Sequence, residues 1–213
     1  MKWIALLCCF CCPAGAESWT NALGRLPLPE NTVLSRDNFI PAVLTAFQSN
    51  ATVGGIVFLP AVSDDFYLVN RDKTKLNLRA PDIACAITGL THATEVRATF
   101  SQGILFLHLA RETVEPRVVI KHETTAAALT NAIGHGRVLW VDRHWKTVQP
   151  EIKALLNCEV LPKAASESAW HFARVNLAVC GVSQRQLLEA IVLSTGSQLT
   201  IERHRARFVR ANR

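Results

Sequence analysis

The chain of 213 residues has one tyrosine and one methionine, and only three of its seven cysteines, Cys85, Cys158 and Cys180, lie beyond residue 16. Three is an odd number, so at most one internal bridge can form and the chain is no disulfide-stapled scaffold. These cysteines form no C-x-x-C pair and the seven histidines form no H-x-x-x-H, which removes the commonest zinc signatures. No G-x-S-x-G elbow is present. Ser194-Thr195-Gly196-Ser197 is too short for a phosphate loop and falls at the end of an expected helix, the wrong pole for anions. Past the first dozen residues no apolar run is long enough to cross a membrane as a helix, so an integral membrane protein is not expected. Without a catalytic constellation the sequence points away from an enzyme and calls for no cofactor.

What is present at the start is an export signal. Met1-Lys2 gives a short positive region, Trp3 to Cys12 an apolar run of h-region length, and Pro13-Ala14-Gly15-Ala16 a helix breaker with an A-x-A site. Cleavage is expected after Ala16, giving a periplasmic or secreted protein. Losing Lys2 lowers the formal net charge from +6 to +5, a mild excess that favours solubility and weak attraction to anionic polymers.

Residues 17–37 carry two prolines and little periodicity, and read as an ordered leader or linker. Phe39, Val43, Leu44 and Phe47 fall at helical intervals behind Asp37 or Asn38 as cap, and Ile56 to Leu59 has strand length. Pro60 to Asp65 reads as a turn before a second strand at Phe66 to Val69. Leu76 and Leu78 alternate with Asn77 and Arg79. Pro81-Asp82 opens a helix with Ile83, Ala86, Ile87 and Leu90 on one face, and Ser101-Gln102-Gly103 turns a hairpin between Val96 to Phe100 and Ile104 to Leu109. The second half begins with a strand at Arg117 to Lys121 and an alanine-rich helix at Thr124 to Ile133. A strand follows at Arg137 to Val141, then a helix opened by Pro150. Phe172 to Ala178 alternates as a strand. Ser183 caps a helix bearing Leu187, Leu188, Ile191 and Val192 that stops at Thr195-Gly196, and Leu199 to Arg203 with Ala206 to Arg210 forms the last hairpin.

One pattern thus occurs twice. Leu76-Asn77-Leu78 and Val175-Asn176-Leu177 stand 99 residues apart, each followed by a helix and a hairpin. The stretches LTHATEV and LSTGSQL align at 103, which makes the second helix region about one turn longer. The helix-strand order of 124–141 echoes that of 39–59, extending the repeat upstream. The expected fold is α+β, in two related modules at 38–112 and 113–213, each with helices packed on a small mixed or antiparallel sheet.

The stretch VNLAVCGVSQRQLLEAIVLSTGSQLTIERHRARFVRAN resembles the short N-terminal domain of secretins and TonB-dependent receptors. Val182-Ser183, Leu187-Leu188, Ile191, Thr195-Gly196 and Leu199/Ile201 occupy that family's apolar and turn positions. LNLRAPDIACAITGLTHATEVRATFSQGILFLHL matches it more loosely. The resemblance implies a periplasmic module that works by contacting other proteins and implies no catalytic residues.

The candidate partner-binding residues are Arg203, Arg205, Arg207 and Arg210, joined by His204 and Arg213 within eleven residues of the C-terminal hairpin. A straight strand would put Arg203, Arg205 and Arg207 on one side; a turn at His204-Arg205 would split them. They suit an acidic protein surface, an anionic glycan or a lipid headgroup, or they simply protect an edge strand. Export and the lack of interleaved aromatics argue against nucleic acid. The leading expectation is a non-catalytic envelope adaptor that presents sheet edges to a protein partner. Two alternatives compete with it: a metal-binding protein or hydrolase centred on His135, Asp142 and His144, flanked by Trp140 and Trp145, and a small-ligand carrier using a groove between the modules.

Overall fold

A computed structural model of the chain describes residues 19–23, 26–30, 32–52, 54–65, 76–121, 129–131, 133, 136–156, 159–161, 174–202 and 205–210. In chain order these residues form α1 (Trp19–Leu23), β1 (Val33–Ser35), α2 (Phe39–Asn50), β2 (Gly54–Phe58), α3 (Pro60–Asp65), β3 (Asn77–Arg79), α4 (Ile83–Ala93), β4 (Val96–Ser101), β5 (Ile104–Leu109) and β6 (Val118–Ile120). Then follow β7 (Arg137–His144), α5 (Trp145–Leu156), β8 (Glu159–Leu161), β9 (Arg174–Cys180), α6 (Gln184–Thr195), β10 (Ser197–Glu202) and β11 (Arg205–Arg210). The fold is α+β. The expected strand at Phe66 to Val69 and most of the expected helix at Thr124 to Ile133 lie outside the described residues.

The centre is a five-stranded mixed sheet in the order β4-β5-β2-β9-β7. The first half supplies β2, β4 and β5, the second half β7 and β9, and the two meet where β2 and β9 pair antiparallel from Gly54↔Cys180 to Phe58↔Asn176. Every residue of β2 is buried, because this strand has a neighbour on each edge and a core on each face. Alternation sorts the side chains. Ile56, Phe58, Leu105 and Leu107 face a core built with α2 and α4. Val57, Phe106, Leu177 and Val179 face the other, built with α5, α6 and a second sheet in the order β6-β10-β11-β8. Helix α6 touches β2 and β9 on one side and β6 and β10 on the other. This explains why its last six residues, Ala190 to Thr195, are all buried.

The halves are also tied by polar contacts. The Arg137 guanidinium donates to the carbonyls of Gln48, at 2.8 Å, and Ala51, at 3.2 Å, where α2 ends. Gln186 Nε2 donates to the Gln102 carbonyl at 3.0 Å.

With α3 set aside, which has no counterpart among the described residues, two sets of seven elements run in the same order, β1-α2-β2-β3-α4-β4-β5 and β7-α5-β8-β9-α6-β10-β11. Their pairings agree as well. β1 with β3 and β7 with β9 are antiparallel; β2 with β5 and β8 with β11 are parallel; β4 with β5 and β10 with β11 are antiparallel hairpins. Ser101 and Ile104 close one hairpin and Glu202 and Arg205 the other, an offset of 101 rather than the 103 read from the sequence. The helices before them have 11 and 12 residues, so the second is longer by one residue and not by a turn. In this order α5 and β8 stand where α2 and β2 do; most of the helix expected in 124–141 lies outside the described residues.

Two further expectations are corrected. Pro60 to Asp65 is a helix and not a turn: proline takes its first position, where no amide hydrogen is needed, and Ala61 and Val62 drop into the core. Pro150 does not open its helix. It lies inside α5, which starts five residues earlier because Trp145 and Val148 are buried against β7 and the second sheet. The segment 17–37 contributes α1 and β1, with Leu23, Leu28 and Leu34 buried.

Candidate partner-binding surface

The C-terminal hairpin is anchored from below. Leu199, Ile201, Ala206 and Phe208 point into the core, and the Phe208 ring meets Trp145 edge-on with centroids 4.9 Å apart. Strand alternation then fixes what points out: Thr200 and Glu202 on β10, Arg205 and Arg207 on β11. Strand β6 runs parallel to β10 with Val118 and Ile120 packed inward, leaving Val119 outward and 56 % exposed. Lys121 closes the edge through a 3.1 Å ion pair with Glu202. The result is a sheet with one face on the core and one exposed face that carries Val119 and Lys121 on β6, Thr200 and Glu202 on β10, and Arg205 and Arg207 on β11.

The structure thus brings two of the four predicted arginines, Arg205 and Arg207, onto one exposed face. Arg203 and His204 lie outside the described residues; β11 ends at Arg210, whose side chain is also outside them. Alternation places Arg205 and Arg207 on one side of β11. The neighbours Val119 and Lys121 were missed, because a three-residue strand 81 residues upstream carries no sign of its partner.

The second predicted locus lies at the far edge of the central sheet. Between Trp140 and Arg143, two residues of β7 oppose the single Asn176 of β9, a bulge in which Asp142 takes a positive φ of 51°. The buried Asn176 holds this geometry: its Oδ1 accepts the Asp142 N–H at 2.7 Å, and its own N–H donates to Ser194 Oγ at 3.3 Å. The Asp142 carboxylate accepts from the Arg174 guanidinium. Glu151 of α5 takes Trp140 Nε1 at 2.7 Å on one oxygen and Arg143 at 2.6 Å on the other, fastening the helix to the strand. Asp142 and His144 therefore share one strand end, while His135 lies outside the described residues. Among the described residues no group of three or more His, Cys, Asp or Glu is placed to hold a metal ion.

For a small ligand, an open, mostly apolar groove of about 520 Å³ runs between α2 and residues 27–29, lined by Pro27, Pro29, Pro41 and Ala46. It belongs to the first half alone. At the junction of the halves the strands are hydrogen-bonded to each other and leave no groove between β2 and β9. Among the described residues no helix is long and apolar enough to cross a membrane. No family model, curated protein or solved structure matches the chain.

Proposed function

We propose that the chain is an exported, non-catalytic adaptor of the cell envelope that docks a protein partner on the outer face of the β6-β10-β11-β8 sheet. The carrying observation is that face itself, where the exposed Val119 and Lys121 of the edge strand β6 share one side of the sheet with Glu202 of β10 and Arg205 and Arg207 of β11, while the opposite face is sealed in the core. A face with three cations to one acid beside an exposed apolar residue suits an acidic protein surface, with charge steering the encounter and the apolar contact holding it. The export signal at residues 1–16 and the resemblance of the C-terminal stretch to a periplasmic contact module support the same reading, as do the two sets of elements with identical pairings.

The test is photo-crosslinking from position 119 in the native envelope, compared between the wild type and an Arg205→Glu/Arg207→Glu double variant. A single partner crosslinked in the wild type and lost in the variant supports the reading. A crosslink that survives charge reversal, or turnover of a substrate by the purified protein, would overturn it.

A further inference from the structure

We infer that the outer edge of β4 is a docking slot for an extended segment of a partner protein, in which an acidic residue precedes apolar residues at alternate positions. The molecule carries its own template for such an occupant. In the second half β10 has a strand on each side: β11, and the parallel β6. The Leu199 N–H donates to the Arg117 carbonyl at 2.9 Å, and the Ile201 carbonyl accepts from the Lys121 N–H at 3.1 Å. With the hairpins aligned by their turns, those two positions are Ala98 and Phe100 on β4.

There the slot is open among the described residues. β4 is the last strand of its sheet, and no strand among the described residues pairs with its outer side. In a hairpin with a two-residue loop the closing pair exchanges both hydrogen bonds, and such pairs recur at every second residue. Ser101, Thr99 and Arg97 therefore bond to β5, while Ala98 and Phe100 turn their N–H and C=O outward. Burial agrees: Leu199 and Ile201 are 0 % and 3 % exposed under β6, whereas Ala98 and Phe100 are only half-buried. The six residues of β4 contain neither proline nor bulge, and Arg97 is their one charge. β7, at the opposite edge of the same sheet, is bulged at Asp142.

Charge sets the occupant. In β6 the flanking Lys121 lies beside Glu202, near the hairpin turn. On β4 the charged residue is the exposed Arg97, at the far end, one position before Ala98. A segment running parallel to β4 in the register of β6 places its leading residue beside Arg97 and its next and third-next residues over the core, as Val118 and Ile120 are placed. The pattern recognised is acidic, apolar, any, apolar. This slot is separate from the arginine face, and its test reads different residues.

The experiment is titration of the purified full chain, 15N-labelled, with the synthetic peptide acetyl-Ser-Glu-Val-Thr-Ile-Thr-amide. Binding is expected to shift the amides of Ala98 and Phe100. Ala98→Pro removes an outward donor and is expected to weaken binding about tenfold. Arg97→Glu, a surface change that leaves the backbone intact, is expected to weaken it about fivefold, and a peptide with Lys in place of Glu is expected to restore it. The proposal fails if the peptide does not bind at millimolar concentration, if the shifts fall on β10 and β11, or if the charge exchange restores nothing. Concentration-dependent self-association lost in Ala98→Pro, without peptide binding, would assign the slot to a second copy of this chain and likewise overturn it.

Discussion

Single residues carry unequal weight here, and Asn176 carries the most. Only 2 % exposed, it fixes the bulge of β7 from the neighbouring strand and accepts a backbone N–H that would otherwise stay unpaired beside it. Asn176→Ala is expected to cost about 2 kcal/mol in denaturant unfolding, the penalty of stranding a polar group. Arg174→Ala, which removes an exposed ion pair with Asp142, is expected to stay within about 1 kcal/mol. Similar costs for the two would show that the amide is not what holds the bulge. Ser183 is a simpler case. Its Oγ accepts the Gln186 N–H at 3.2 Å while Gln186 Oε1 accepts the Ser183 N–H at 2.8 Å, so the capping serine read from the sequence is half of a capping box. Ser183→Ala is expected to lower stability by about 1 kcal/mol, measured by thermal melting. The cap was legible because its cause is local. The role of Asn176 was not, since its partners lie 34 residues upstream and 18 downstream.

Elements repeat that division between local cause and distant neighbour. The β4–β5 hairpin was legible in Ser101-Gln102-Gly103: both turn residues take positive φ, 50° and 79°, as a two-residue turn of this hand requires. The stop of α6 at Gly196 was legible for the same reason, with φ at 60°. The order of strands was not legible, because alternation says which face is buried and never which strand lies alongside. Nothing in Gly54-Gly55 announces that this pair sits between β5 and β9. Gly54 has φ of 108°, and a Cβ there would stand 2.7 Å from the Gly103 carbonyl oxygen. Gly54→Ala is expected to cost about 3 kcal/mol, or ~10 °C in Tm, through backbone strain and displacement of the β4–β5 turn. Gly103→Ala, with nothing within 4 Å of its added Cβ, is expected to pay only for its positive φ and to cost less. The reverse ranking in thermal melts would mean that the turn, not the junction of β2 with β5, limits stability.

At the scale of the whole molecule, the stretches 38–112 and 113–213 share the central five-stranded sheet. The β2·β9 pairing, the Arg137 contacts to the end of α2 and the Gln186 contact to the β4–β5 turn all cross between them. Unfolding is therefore expected to be a single transition, with tryptophan fluorescence, dominated by the buried Trp140 and Trp145 of the second half, coinciding with far-UV circular dichroism of the whole. Two separated midpoints would show that the halves unfold independently. Export is checked by the mass of the secreted chain, expected to begin at Glu17.

The β2·β9 seam has a consequence for how two molecules can entangle. The two halves complete one central sheet by pairing β2 with β9, and the connection between them, 110–117, is exposed at Ala110, Arg111 and Glu115. Nothing in the seam distinguishes the β9 of the same molecule from that of a neighbour unfolding at the same moment. Reciprocal exchange of second halves preserves every pairing at the cost of opening one connection. Refolding from concentrated denatured protein is the condition under which such swapped dimers accumulate, each holding two intact copies of the fold and two crossed chains.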